Sequence, residues 1–441
     1  MDGFFLKLCD MQKTVGNYRW TICALLFFAT TINYLDRTVI SLLKPYLEVQ
    51  FKWTEGDYSY IVMAFQLSYA VGMFFVGRFI DKVGTKLGYA LSILAWSLAA
   101  MGHAIARSSL GFGIARSALG LSEAGNFPAA IKTVSEWFPK KERAFATGIF
   151  NSGTNIGAVI TPLTVPWIAE KMGWQYAFIL TGAVGFLWLL LWIFIYEIPA
   201  KNKRLSKEEY SYITSDLDES VETEEKPPKT SWFKLLGFRQ TWAFVLGKFL
   251  TDPVWWFFLF WLPAFLDAQY QIKGTDIALP VALVYTMCSF GSIGGGWLPL
   301  FLINRGWTVF RARKISMLIY ALCVVPVIFA QWLGSMNMWL AVFLIGIATS
   351  AHQAWSANIF TTVSDMFPKK TVASVTGLGG MAGSVGGLLI ALLAGILFDH
   401  FKLLGNIETG YYIMFFVCGF AYLLAWLIMH FLVPKMKMVD L

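Results

Sequence analysis

Charged residues are scarce in this chain of 441 residues. Asp, Glu, Lys and Arg make up 14% of it, whereas soluble domains carry about 25%. Apolar residues reach 57%, and residues 201–239 alone hold 8 basic and 8 acidic residues, so the remainder is more apolar still. This composition excludes a disordered chain, and soluble cores cannot hide so much apolar surface. The sequence predicts a membrane protein, and nucleic acid is not expected as a partner despite the net charge of +8.

Cysteine pairs and catalytic motifs are also missing. The five cysteines have no CxxC or metal-ligand spacing, and four of them lie in apolar runs. This pattern excludes a disulfide scaffold and is typical of buried small hydrophobic residues. The sequence has no HExxH, GxSxG, P-loop or histidine-rich cluster. We therefore expect no enzymatic activity, no metal and no bound cofactor.

Long apolar runs are present instead. Crossing about 30 Å of hydrocarbon takes roughly 20 helical residues, and twelve continuous apolar runs of this order lie between charged residues. They predict an all-α integral membrane protein with twelve transmembrane helices. The runs are 20–43, 58–80, 87–106, 109–133, 143–169, 174–196, 240–267, 277–303, 313–333, 337–362, 372–398 and 410–433.

The distribution of basic residues orients these spans, because Lys and Arg are enriched in cytoplasmic loops. With both termini inside, the inward segments carry 25 Lys and Arg residues and the outward segments carry 6. Leaving out the long central segment still gives 17 against 6. Both termini are therefore predicted to be cytoplasmic.

An internal repeat divides the chain. The segment 135–141 (SEWFPKK) recurs as 364–370 (SDMFPKK), at an offset of 229 residues. Between the two copies, residues 200–238 predict a short amphipathic helix and a flexible acidic linker. We therefore expect two six-helix bundles, 1–199 and 239–441, joined by a cytoplasmic loop at 200–238. Such repeats are typical of transporters that bind substrate between their halves, near the bilayer midplane.

The loop after the second span reads GRFIDKVGTK over residues 77–86. Its glycines permit a tight turn, and Asp81 can contact a basic group or a helix N-terminus. At this position in a twelve-span chain, the loop resembles the signature loop of the major facilitator superfamily. The resemblance implies the fold of two six-helix bundles and a gating or conformational role for Asp81.

Charged residues within spans are costly in a membrane and indicate functional sites. Asp36 and Arg37 of span one are neighbours, so their side chains point about 100° apart. One of them can face a central cavity while the other meets a neighbouring span. In span four, Arg116 and Glu123 are seven residues apart and share one helix face.

Two hypotheses fit these four groups. In the first, they form static ion pairs that hold spans one and four together. In the second, Arg37 and Arg116 bind the carboxylate of an anionic substrate, since the guanidinium fork matches a carboxylate. Asp36 and Glu123 then serve as proton-coupling carboxylates, because burial and a nearby arginine can move their proton affinity.

Span seven offers a second charged pair. Lys248 and Asp252 are four residues apart and can pair on one helix face, and Pro253 can break the helix beside an aromatic run. One interpretation is a structural ion pair next to a lipid-facing aromatic belt. The other is a gate or an aromatic platform for a sugar ring.

Span ten carries polar and aromatic residues at helical spacing. His352, Trp355 and Asn358 follow one another at intervals of three residues, and Gln353 adjoins them. We predict that this stripe faces the cavity and that its polar groups bind substrate hydroxyls.

Several runs carry a closer resemblance. The segments 34–37 (YLDR), 116–128 (RSALGLSEAGNFP) and 137–143 (WFPKKER) resemble the anion:cation symporter branch of the superfamily. Within it, 249–255 (FLTDPVW) and 351–354 (AHQA) are similar to bacterial hexuronate transporters. The resemblance implies that Asp36 and Glu123 couple protons. It also implies substrate binding by Arg37, Arg116, Tyr34 and Tyr69.

Taken together, the sequence predicts proton-coupled symport of a hexuronate, such as glucuronate or galacturonate, by alternating access in the bacterial cytoplasmic membrane. The alternative is symport or exchange of another organic anion, such as an aldonate or a dicarboxylate. A sensor without transport activity is less expected, because it would have no use for membrane carboxylates. The expected partners are a small anionic sugar and membrane lipid, the expected state is a monomer, and the coupling ion is a proton.

Overall fold

The computed structural model of the chain describes residues 16–215, 232–272 and 278–440. Within these residues the regular secondary structure is helical, without strands. In chain order the α-helices are α1 (Tyr18–Phe51), α2 (Glu55–Val83), α3 (Thr85–Gly102), α4 (Ser109–Glu123), α5 (Asn126–Trp137), α6 (Lys140–Met172), α7 (Trp174–Ile195), α8 (Lys207–Thr214), α9 (Trp232–Leu235), α10 (Arg239–Tyr270), α11 (Ala278–Asn304), α12 (Val309–Val324), α13 (Ala330–Met336), α14 (Met338–Met366), α15 (Val372–Leu403) and α16 (Ile407–Leu432).

The twelve apolar runs correspond to twelve helical elements of the fold. Nine fall on single helices. The third run covers α3 and the 3₁₀ turn His103–Ile105, the fourth covers α4 and α5, and the ninth covers α12, the 3₁₀ turn Val325–Phe329 and α13. In the described part of the chain, eight helical elements are long and apolar enough to cross a membrane, and the bent α10 makes a ninth. The other three elements, α1, α4–α5 and α6, carry more charged or polar side chains, because they line or support the site described below.

α10 bends by 50° between its segments Arg239–Leu259 and Trp261–Tyr270. The helix does not break at Pro253, where the sequence analysis placed a possible break. It runs through that residue without interruption. The bend lies close to Leu259, four residues before Pro263. A proline removes the hydrogen bond to the carbonyl four residues earlier and clashes with it, which accounts for a kink at this place.

Close packing joins the first-half helices (α1–α7) to the second-half helices (α10–α16). A Cβ atom on Gly77 of α2 would overlap the backbone of Ala373 in α15, and one on Gly148 of α6 would overlap the backbone of Ser292 in α11. Gly377 meets α2 in the same way. Glycine at these positions thus permits close approach of the two halves. We call this part of the bundle the closed end.

The signature loop joins α2 to α3 at the closed end. Gly84 has a φ of 89°, in the left-handed region that favours glycine. The backbone N–H of Gly84 donates to the carbonyl of Ile80 and ends α2. The prediction that a glycine here permits a tight turn is therefore confirmed.

The predicted helix in the central loop is α8. Its Glu209 is buried and accepts hydrogen bonds from the backbone N–H groups of Tyr18 and Arg19, both at 3.1 Å. Glu209 therefore caps the N-terminus of α1, where a negative charge is favourable. The acidic part of the predicted linker, residues 216–231, lies outside the described residues, and the division of the chain at 200–238 stays a prediction.

Candidate functional site

A cavity lies between the two halves. α1, α2, α5 and α6 contribute one wall and α10, α14 and α15 the other. Its charged lining residues are one arginine from the first half and a lysine and an aspartate from the second. The lining residues are Tyr34, Arg37, Tyr69, Met73, Phe127, Asn151, Thr154, Lys248, Asp252, Trp255, Trp256, His352, Gln353, Ser356, Phe360, Gly380 and Ser384.

Arg37 is the cation of the first-half wall. Its Nε lies 3.0 Å from Oε2 of Glu123, the last residue of α4, whose side chain is fully buried. The guanidinium also lies 4.7 Å from the ring centroids of Tyr34 and Tyr69 and 5.0 Å from that of Phe65. An ion pair and three aromatic rings thus hold Arg37 at the cavity.

Arg116 lies behind this wall. Both of its terminal nitrogens donate to the backbone carbonyl oxygen of Arg37, at 3.2 Å. Its guanidinium lies 4.6 Å from the ring centroid of Phe65, so the Phe65 ring contacts two arginines. Arg116 does not line the cavity, and its predicted role in substrate binding stays a prediction.

Asp36 and Arg37 diverge as the helix geometry predicts. Arg37 faces the cavity, whereas Asp36 is buried and lies near Thr181 of α7. In the described part of the chain, the Asp36 carboxylate has no ion-pair partner. Glu123 and Asp36 therefore sit in different surroundings, one paired with an arginine and the other not.

Lys248 and Asp252 form the predicted pair on one face of α10. The Lys248 Nζ lies 2.7 Å from Oδ2 of Asp252 and 4.1 Å from the ring centroid of Phe360. The Asp252 carboxylate packs against Gly383 of α15. A Cβ atom on residue 383 would overlap this carboxylate. Both charged groups line the cavity, so the pair belongs to the site and not to a lipid-facing surface.

The aromatic run of α10 also faces inward in part. Trp255 and Trp256 line the cavity. The ring of Trp255 stacks on His352 of α14, with centroids 5.2 Å apart and an angle of 10° between the ring planes. His352 is fixed from another side by a hydrogen bond of 2.5 Å between its Nδ1 and the hydroxyl of Tyr422.

The predicted stripe of span ten is wrong for two of its members. His352 and Gln353 line the cavity, but Trp355 and Asn358 do not. Trp355 packs edge-on against Tyr422, and the Asn358 amide donates to the carbonyl of Gly295 in α11 at 2.7 Å. Each step of three residues on an α-helix turns the side chain back by about 60°, so the stripe winds away from the cavity.

Residues of α14 spaced four apart stay on the cavity-facing side of the helix far better than residues spaced three apart. Ser356 and Phe360, four and eight residues after His352, both line the cavity. Asn151 of α6 is another cavity-lining residue that the sequence analysis did not identify. Its side-chain amide donates to Gln353 Oε1 at 2.7 Å and to Ser292 Oγ at 3.1 Å. Asn151 thus joins the two halves beside the cavity, from within a glycine-rich run of α6.

Asp81 connects the halves at the closed end. Its Oδ1 lies 2.8 Å from Lys132 Nζ within the first half. Its Oδ2 accepts hydrogen bonds from the backbone N–H and the hydroxyl of Ser374, at 2.7 and 2.6 Å. Ser374 lies in the first turn of α15, where the helix dipole favours a carboxylate. Asp81 thus contacts both halves through one carboxylate, and its gating or conformational role stays a prediction.

A second connection has the opposite polarity. Arg143 of α6 donates to the backbone carbonyl of Ser364 and to the carboxylate of Asp365, in the last turn of α14. Asp365 also pairs with Arg313 of α12. The first half therefore supplies an anion to the N-terminus of α15 and a cation to the C-terminus of α14, and both arrangements match the helix dipoles.

Lys369 lies in the loop between α14 and α15, beside this connection. Burial, and then the neighbouring charge of Arg143, lower the pKa of Lys369 to about 8, and Glu136 compensates in part. All of these contacts lie on one side of the cavity. The cavity is thus sealed at the closed end by ion pairs, hydrogen bonds and close backbone packing.

Comparison with known proteins agrees with these observations. The chain is 36% identical to a hexuronate transporter of Escherichia coli strain K12 over 391 residues, which are 88% of this chain and 89% of that protein. It is 34% identical to a galacturonate transporter of Dickeya chrysanthemi over 286 residues, 65% of this chain and 83% of that protein. The resemblance to hexuronate transporters that the motifs indicated is therefore confirmed.

The fold has solved counterparts. The structure of the proton:xylose symporter XylE bound to 6-bromo-6-deoxy-D-glucose matches with a TM-score of 0.76, covering 95% of this chain and 97% of that one at 16% identity. Residues 26–389 match the Major Facilitator Superfamily. The all-helical, multi-pass membrane fold predicted from the sequence is thus confirmed, and this chain belongs to the Major Facilitator Superfamily of transporters.

Proposed function

We propose that the protein carries a sugar acid anion, a hexuronate such as glucuronate or galacturonate, into the cell together with a proton. The observation that carries the proposal is Arg37, which lines the cavity at 3.0 Å from the buried carboxylate of Glu123. Relatives that transport hexuronate and galacturonate support the choice of substrate. The protein acts as a carrier and not as an enzyme, with a proton as the coupling ion.

Arg37 binds the substrate carboxylate. Its planar guanidinium can donate two parallel hydrogen bonds to a carboxylate, but Glu123 neutralises it while both groups are charged. A proton on Glu123 removes that competition and frees the guanidinium for the anion. Tyr34 and Tyr69, stacked on Arg37, keep it in place during the exchange of partners. Proton and anion then occupy the site together, and their joint movement adds no net charge to it.

The closed end is the inner gate. The basic residues of the loops orient it towards the cytoplasm, together with both chain termini, so the structure corresponds to a carrier closed on the inside. Release into the cell requires the Asp81–Ser374 and Arg143–Asp365 contacts to separate. Rocking of the two halves around the cavity achieves this, as in alternating access.

The proposed setting is that of a monomer surrounded by lipid in the bacterial cytoplasmic membrane. Asp36, buried near Thr181 and without an ion-pair partner among the described residues, is the second proton-coupling carboxylate. The alternative substrate is another organic anion, such as an aldonate or a dicarboxylate, moved by symport or exchange.

Uptake into proteoliposomes tests the proposal. We expect labelled glucuronate to accumulate above empty liposomes only with an inward proton gradient. Glu123→Gln, which cannot take up or release the proton, should abolish accumulation. Glu170→Gln is the control, because that exposed carboxylate pairs with its neighbour Lys171 and does not line the cavity. Exchange that ignores the gradient would replace symport by antiport, and absence of uptake from an intact preparation would overturn the hexuronate assignment.

A further inference from the structure

We propose that Asp252 sets the charge selectivity of the cavity. By pairing with Lys248 it makes the second-half wall a site for neutral hydroxyl groups, so that the carrier accepts sugar acids with one carboxylate and rejects those with two. The inference rests on the proposed function, since it concerns the end of the substrate that Arg37 does not hold. It gives Lys248 and Asp252 a role in substrate binding, beyond the gating role expected from the sequence.

The cavity contains two cation–carboxylate pairs, one on each wall. Arg37 and Glu123 are 3.0 Å apart, and Lys248 and Asp252 are 2.7 Å apart. In the first pair only the cation lines the cavity, whereas in the second both partners do. A ligand therefore meets only the cation of an ion pair on one side and both members of an ion pair on the other.

The second pair is built to stay together. Lys248 and Asp252 are one helical turn apart on α10, so no rearrangement of helices is needed to keep them in contact. Because residue 383 is a glycine, the Asp252 carboxylate has room to pack against α15. The Phe360 ring lies under the Lys248 ammonium. Lys248 is also the less exposed partner, with 5% of its side chain accessible against 17% for Asp252.

Such a pair suits sugar hydroxyls. A hydroxyl group both donates and accepts, so it can donate to Asp252 and accept from Lys248 at the same time. Trp255 and Trp256 beside the pair offer aromatic faces for the C–H surface of a sugar ring. The side chains of Gln353 and Ser356 provide further partners for hydroxyls on the same side of the cavity.

A second substrate carboxylate does not suit this wall. A carboxylate only accepts hydrogen bonds, so it would compete with Asp252 for Lys248 and bring two negative charges together. Like charges in contact at a binding site oppose association strongly. Removal of the Asp252 charge would reverse the preference, because Lys248 would then be free to bind the second carboxylate.

Competition binding tests the inference. Glucuronate has one carboxylate, and glucarate has the same six carbons with a carboxylate at each end. We expect full-length wild-type protein in detergent to bind glucuronate at least about tenfold more tightly than glucarate. In Asp252→Asn the ratio of the two affinities should shift towards glucarate by about tenfold or more. In the double variant Lys248→Gln/Asp252→Asn, which is neutral but lacks the free cation, that gain should disappear.

The chain provides a matched control. Lys44 and Glu48 form another lysine–carboxylate pair four residues apart, at 3.0 Å, outside the cavity lining. Glu48→Gln should leave the affinity ratio unchanged. Equal binding of glucuronate and glucarate by the wild type, or an unchanged ratio in Asp252→Asn, would overturn the inference while leaving hexuronate transport intact.

The two proposals fail separately. If the wild-type protein neither binds nor takes up glucuronate, the proposed function is overturned. If Asp252→Asn does not yield a folded protein, the double variant, which keeps the cavity neutral, carries the test alone. It should bind glucuronate more weakly by about fivefold or more, because hydroxyls lose charged partners. Unchanged glucuronate affinity in that variant would overturn the inference.

Discussion

The two ion pairs of the cavity differ in what they connect. Arg37 and Glu123 lie 86 residues apart and join α1 to α4, whereas Lys248 and Asp252 lie on one turn of α10. The partners of the first pair separate when Glu123 takes up a proton or when α1 moves relative to α4 within the first half. The partners of the second pair share one helical turn, so no movement between helices separates them. The first is suited to coupling and the second to recognition.

The internal repeat shows the same kind of divergence at the closed end. Glu136 and Asp365 are equivalent positions of the repeat. Glu136 accepts hydrogen bonds from Thr85 and Tyr196 within its own half, at 2.7 and 2.5 Å. Asp365 pairs with Arg313 of its own half and with Arg143 of the other. One copy of the repeat thus stabilises a bundle, and the other connects the bundles.

The largest expected effect is that of removing the Glu123 carboxylate, and it distinguishes the roles of the two ion pairs of the cavity. Glu123→Gln should reduce gradient-driven accumulation of glucuronate by about 100-fold or more, because proton transfer at a positioned carboxylate is lost. Exchange of internal for external glucuronate should survive, since the neutral amide leaves Arg37 free. Asp252→Asn should retain the dependence on the gradient. Comparison of net uptake with exchange in both variants checks this, and loss of gradient dependence in Asp252→Asn would remove the distinction.

The cation of the first-half wall should be the next most sensitive position. Arg37→Lys is expected to weaken glucuronate binding by about tenfold or more, because an ammonium lacks the planar fork and stacks poorly on aromatic rings. The measurement is the dissociation constant in detergent. Arg107→Lys is the control, since that exposed side chain donates to carbonyls of its own turn. Full affinity in Arg37→Lys would show that the anion binds elsewhere.

The equivalent repeat positions Glu136 and Asp365 provide a matched pair of variants for testing the closed end. Asp365→Asn leaves Arg143 and Arg313 without their shared anion, so it should shift the protein towards opening of the closed end by about tenfold. Glu136→Gln should change that equilibrium by less than about threefold, because its hydrogen bonds go to neutral hydroxyls of its own half and it meets Lys369 of the other half through its charge alone. Distances between spin labels on the exposed Lys82 and Lys370 report the two states. Equal shifts in both variants would contradict the assignment of separate roles.

The smallest expected effect is a pH dependence of the gate. The pKa of Lys369 is about 8 at the closed end and should return to about 10.4 when opening hydrates the side chain. The closed state therefore binds the proton less tightly, and it is disfavoured below pH 8. Raising the pH from about 8 to 10 should increase the closed fraction. The same label distances measure it, and Lys369→Met should remove this component of the pH dependence.

Local spacing predicted much of the site. Four residues between Lys248 and Asp252 were enough to predict their contact, and adjacency was enough to predict that Asp36 and Arg37 diverge. Spacing misled where a stripe of three-residue steps was followed to Trp355 and Asn358, since such a stripe winds around the helix. The positions of the twelve spans followed from apolar length alone.

Other features depended on tertiary structure. Arg116 shares a helix face with Glu123, yet Glu123 pairs with Arg37 and Arg116 binds the backbone of α1. The spacing of residues in the sequence does not specify which of two arginines forms an ion pair with a carboxylate on another helix. Asn151 and Ser356 were missed because small polar residues in glycine-rich or apolar runs look the same whether they pack or line a cavity. Their role becomes visible only once the halves are assembled.

The glycines of the closed end also limit how the protein can change. At Gly77 and Gly148 the backbone of the opposite half occupies the space of a side chain, so even a single methyl group acts as a wedge between the halves. Most substitutions in a transporter reduce its activity by weakening a contact. Here one added methyl group at Gly77 or Gly148 would keep the closed end from packing fully, so a single substitution at either position is expected to favour the open state.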